Sequence, residues 1–106
     1  MAYEEINLPR AFSLVDAAQA IEDAAAKLDL RVTQRGTLTE HPGSIHWHFK
    51  RGRESGTLEA TLLNRERRIA LSVRDNRRGA WTDDALQSLA VTLQDDATAR
   101  DDATGT

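Results

Sequence analysis

The stretch SIHWHFK, residues 44–50, decides how the chain is read. Apolar and polar residues alternate strictly in it. Successive side chains of a strand point to opposite faces, so Ile45, Trp47 and Phe49 project one way and His46, His48 and Lys50 the other. The tryptophan belongs to a core and the two histidines to the opposite surface. Two further segments repeat the pattern. In TLEATLL, Leu58, Ala60 and Leu62 face inward and Thr57, Glu59 and Thr61 outward; in RIALSVR, Ile69, Leu71 and Val73 face inward and Ala70, Ser72 and Arg74 outward. The turns RGRESG and NRER join the three into an antiparallel meander with one buried face.

Helical periods flank the meander. Ser13 followed by Asp16 forms a capping-box pattern, and Leu14, Ala18, Ile21, Ala25 and Leu28 then fall on one stripe, with Phe12 placed to staple the first turn. Leu30 and Val32 alternate with Arg31 and Thr33 in a short, weakly marked strand before Pro42 and Gly43 break the chain. On the other side, Thr82 is the expected cap of a second helix, Asp83 and Asp84 suit its positive end, and Leu86, Leu89, Ala90 and Leu93 form its stripe. The predicted fold is α+β, a two-layer sandwich of a three- to four-stranded antiparallel meander with an N-terminal and a C-terminal helix on one face. Residues 1–94 are expected to form one domain. The sequence DDATARDDATGT, residues 95–106, lacks large apolar side chains and predicts an acidic disordered tail.

Composition narrows the chemistry. A chain of 106 residues has room for one core and no separate lobe. With no cysteine, thiolate metal sites, disulfides and cysteine nucleophiles are excluded. The first ten residues lack the apolar core of a signal peptide and no apolar run approaches the ~20 residues that span a bilayer, so the expectation is a cytoplasmic protein without membrane contact. Charge is segregated: residues 1–49 carry four basic and seven acidic side chains, residues 50–78 nine and four, and residues 79–106 one and six.

The simplest turn registers align His48, Glu59 and Ser72 across the outward face, likewise His46, Thr61 and Ala70, and Lys50, Thr57 and Arg74. Two histidines at i and i+2 on one strand face can both ligate zinc, with Glu59 as a third donor. His-x-His is common by chance, however, and a flat sheet offers little to orient ligands. No metal, no cofactor and no catalytic residue are therefore expected. Histidine, glutamate and serine are the residue types of a catalytic triad, but Glu59 would lie between His48 and Ser72, which is the wrong order for proton transfer.

These readings favour a small non-enzymatic binding or adaptor domain. It would contact an unknown protein partner, or a second copy as a homodimer, through a sheet edge or through the face bearing His46, His48, Lys50, Glu59, Thr61, Ser72 and Arg74. The alternative is a weak binder of nucleic acid or another polyanion, using Arg51, Arg53, Arg68, Arg77 and Arg78. A zinc-dependent activity at His48 and Glu59 ranks last.

Overall fold

A computed structural model describes residues 1–104, with side chains to residue 102. The element order is β1 (Ala2–Asn7), α1 (Leu14–Lys27), β2 (Leu30–Gly36), β3 (Ile45–Arg51), β4 (Leu58–Leu63), β5 (Arg68–Val73), a short 3-10 turn (Asp75–Arg77) and α2 (Thr82–Thr104). All five strands pair antiparallel, in the order β1-β5-β4-β3-β2. The chain is thus α+β with a five-stranded antiparallel sheet, one or two strands more than the three or four expected. The additional strand is β1, where Ile6 meets Ile69 and Tyr3 meets Ser72. Its inward positions are Ala2, Glu4 and Ile6, so only one large apolar residue marks it.

The expected registers hold through the meander. His48 opposes Glu59, Glu59 opposes Ser72, His46 opposes Thr61, Thr61 opposes Ala70, and Leu63 opposes Arg68. Pairing of β3 with β4 ends at Phe49 and Leu58, so the Lys50–Thr57 pair does not form. Instead the Thr57 N–H donates to the Arg77 carbonyl, and Lys50 Nζ donates to the Gly56 carbonyl. Strand β2 is fully paired with β3 and carries a bulge between Val32 and Gln34. The extra residue restores alignment, placing Gln34 beside His48 and Arg35 beside Trp47, and Thr33 Oγ1 donates to the His48 carbonyl.

One apolar core joins the inward strand residues to both helices. Trp47, Phe49, Leu58, Ala60, Ile69, Leu71 and Val73 are sealed from water together with Phe12, Ile21, Leu86, Leu89 and Leu93. Burying this much apolar surface is the main force holding the domain together. Helix α1 starts as expected, with Ser13 Oγ accepting the Asp16 N–H at 3.0 Å. Helix α2 starts differently. Thr82 is its first residue, and its hydroxyl bonds back to the Gly79 backbone instead of capping a downstream amide.

The expected tail is the larger correction. Helix α2 continues through residues 95–104, and residues 105–106 lie outside the described residues. The stripe that runs through Leu86, Leu89 and Leu93 extends to Ala97, which is buried, and then to Arg100. The Arg100 guanidinium lies 4.2 Å from the centroid of the Phe12 ring and 3.0 Å from Asp16, so a cation does the packing a large apolar residue usually does. Among the described residues no helix is long and apolar enough to cross a membrane.

Candidate metal centre

The face of the sheet away from the helices carries two rows of side chains across all five strands. One runs Tyr3, Ser72, Glu59, His48, Gln34, and the next Glu5, Ala70, Thr61, His46, Gly36. His46, His48 and Glu59 meet where the rows adjoin on β3 and β4. His46 Nε2 is 3.1 Å from Glu59 Oε1, His48 Nε2 is 3.3 Å from the same oxygen, and the two Nε2 atoms are 3.2 Å apart. The three donor atoms therefore form a nearly equilateral triangle. The rings stand edge to face, with an interplanar angle of 76°.

Hydrogen bonding fills at most two edges of that triangle. Each Nε2 carries either a proton or a lone pair. If both carry protons, both can donate to Glu59, and the nitrogen–nitrogen edge then sets two N–H groups against each other. If one is deprotonated, its lone pair faces either the carboxylate oxygen or the other nitrogen without a proton on at least one edge. A cation at the centre satisfies all three edges together. A tetrahedral ion with bonds of ~2.0–2.1 Å holds its donors about 3.3 Å apart, and a six-coordinate ion with slightly longer bonds holds adjacent donors about 3.0 Å apart.

The surroundings supply what a flat sheet was expected to lack. Glu59 is only 3% exposed, although it lies on the sheet face away from the helices. His46 Nδ1 lies 2.7 Å from Thr61 Oγ1, so an Nδ1–H donated to the hydroxyl leaves the Nε2 lone pair free for a metal. On the other side of the carboxylate, Arg74 Nε is 3.1 Å from Glu59 Oε2 as an ion pair without hydrogen-bond alignment. Burial pushes His48 below the usual imidazole value of 6.5, the Glu59 charge opposes this, and His46, Arg77 and Arg74 add to the lowering. His48 is thereby neutral at neutral pH, the form in which imidazole ligates metals.

Of the face residues singled out from the sequence, His46, His48, Glu59, Thr61 and Arg74 come together in this cluster. Ser72 lies beyond Glu59 from His48, as the strand order requires, and Lys50 turns to the Gly56 carbonyl. His41 sits in the connection between β2 and β3 and stays outside the cluster. The arginines of the basic segment are scattered. Arg51 pairs with Glu54, Arg68 pairs with Glu5 at the opposite end of the sheet, and Arg78 pairs with Asp75 and Asp83. Arg53 lies exposed in the β3–β4 turn and Arg77 ends the 3-10 turn.

Two glycines bring that 3-10 turn to the site. Gly56 has φ +115°, a conformation open to glycine, and Gly79 packs so tightly on it that a Cβ at position 79 would run into the Ser55 carbonyl. Trp81 Nε1 donates to the same Ser55 carbonyl. The β3–β4 turn is thus clamped to the segment carrying Arg74 and Arg77. Nothing in the sequence spacing announced this approach, because its two halves are more than twenty residues apart. No protein-family model matches this chain, and neither the curated proteins nor the solved structures include a match to it.

Proposed function

We propose that the protein is a binding domain whose open sheet face holds a divalent transition-metal ion on His46 Nε2, His48 Nε2 and Glu59 Oε1. The observation that carries this reading is the triangle of donor atoms with edges of 3.1–3.3 Å. Two imidazoles and one carboxylate suit zinc, iron, nickel or copper better than calcium or magnesium, which favour all-oxygen cages. Thr61 and Arg74 orient the donors from behind, and at least one coordination position is left for a further ligand. The expectation of a domain that binds through this face is kept, with a metal ion as the first thing bound.

The test is a zinc titration of the full chain followed by the imidazole and backbone-amide NMR signals. His46, His48 and Glu59 should shift together and saturate at one equivalent, with His41 unmoved, and magnesium should produce no such shift. Glu59→Gln and His46→Ala should each weaken zinc by at least the ~10–100-fold that losing even an outer-shell partner costs. If zinc leaves both rings unmoved, or moves His41 equally, the proposal fails.

A further inference from the structure

We infer that the open coordination position takes an oxyanion, a phosphoryl or carboxylate group, held between the metal ion and the guanidinium groups of Arg74 and Arg77. This rests on the metal reading above. The charge balance supports it first. A divalent ion outweighs the single negative charge of Glu59, the carboxylate of the cluster, and Arg74, with its Nε 3.1 Å from Glu59 Oε2, adds further positive charge at this corner. Among the described residues no second carboxylate joins His46, His48 and Glu59 to neutralise the excess. A metal-centred positive field of this kind favours an anionic ligand over water.

The arginines are also free to take one. Arg74 Nε lies 3.1 Å from Glu59 Oε2 and the side chain is 59% exposed, and among the described residues its terminal nitrogens pair with no other carboxylate. Arg77 has no side-chain hydrogen bond or ion pair among the described residues, while its carbonyl accepts the Thr57 N–H at 2.9 Å and so fixes it two residues from Glu59. The neighbouring arginine behaves oppositely, since Arg78 lies 3.6 Å from Asp75 and 3.2 Å from Asp83. Of two adjacent cations in one turn, one is spent on acids and the other, anchored to Thr57 through its carbonyl, is not. The planar guanidinium fork matches phosphate and carboxylate oxygens, and a metal ion opposite it would grip the same group from the other side.

The experiment uses the full chain loaded with one equivalent of cobalt(II), whose visible absorption reports its ligands. Inorganic phosphate and acetate are titrated separately at constant ionic strength, against the wild type, Arg77→Gln and Arg78→Gln. The expected result is a saturable change of the cobalt spectrum with at least one anion, half-saturation raised roughly tenfold by Arg77→Gln and unchanged by Arg78→Gln. Which anion acts distinguishes a phosphoryl from a carboxylate ligand. The inference is overturned if cobalt binds fully and neither anion alters its spectrum, as when a bound hydroxide holds the position. A response that Arg77→Gln leaves unaltered, or that both variants weaken alike, also overturns it. Failure of cobalt to bind before any anion is added brings down the metal reading itself and this inference with it.

Discussion

The two faces of β4 are both buried, though only one of them is covered by another layer. On the inner face, Leu58, Ala60 and Leu62 lie under α1 and α2 as part of the apolar core. On the outer face, Glu59 and Thr61 are hidden by side chains of the adjacent strands, chiefly His46 and His48 from β3 and Arg74 at the end of β5. Inner burial is apolar and stabilises the fold by removing surface from water. Outer burial is polar and needs a partner for every donor and acceptor it hides. A central strand can therefore carry a secluded carboxylate without any lid, provided its neighbours are long enough to lean over it. That arrangement gathers two imidazoles and an arginine around a buried carboxylate on an open sheet face.

Substitutions on the two faces should separate sharply. Trp47→Ala, at the centre of the inner face, should cost about 3–5 kcal/mol of unfolding free energy by denaturant titration. The ring is wholly buried and its Nε1 donates to Glu22 Oε2 at 3.0 Å, so truncation also leaves that contact unmade. Metal binding should weaken only as far as the fold does. A loss below about 1 kcal/mol would mean that the inner face had been misassigned.

Ending the chain after residue 94 tests how far the inner layer extends. It removes the buried Ala97 and the Arg100 contacts to Phe12 and Asp16, and should lower stability by about 1–2 kcal/mol. An unchanged melting temperature would restore the view of this segment as a solvated tail.

On the outer face, His46→Ala should cost no more than about 0.5–1.5 kcal/mol in metal-free protein, the scale of the hydrogen bonds it makes to Thr61 and Glu59. Its main effect should fall on zinc affinity. Equal stability losses at Trp47 and His46 would erase the contrast between the faces.

The smallest expected effect is one of pH. His48 titrates below 6.5 in the folded chain because burial disfavours its charged form. The unfolded chain therefore takes up a proton first as pH falls through 6.5, and metal-free protein should lose stability over that interval until the folded-state value is also passed. Thermal melts of the wild type and of His48→Asn across this range check it, since the asparagine variant should show the shallower dependence. A steeper dependence in the variant would reverse the assigned sign.

The meander was legible because its inward positions are large and its turns are short. Once Trp47 and Phe49 are placed inward, turn length sets the register of β4 and β5, and His48, Glu59 and Ser72 align without further information. Strand β1 was not legible. Adjacent glutamates at 4 and 5 hide its alternation, and β5 supplies the pairing groups that make it a strand. The end of α2 escaped for a related reason. Its stripe continues through alanine and arginine, which look solvated until Phe12 and Asp16 from the other end of the chain lie beneath them.

The candidate site divides along the same line. By itself the sequence determined which residues face outward together, because strand period and turn length are local properties. Which of those outward side chains come into contact was decided by tertiary structure. The bulge in β2, the clamp of Gly79 on Gly56 and the return of Arg74 beside Glu59 are contacts between segments distant in the chain. Carboxylate burial and local charge depend on such contacts and on the whole arrangement of neighbours, which no short stretch of sequence contains.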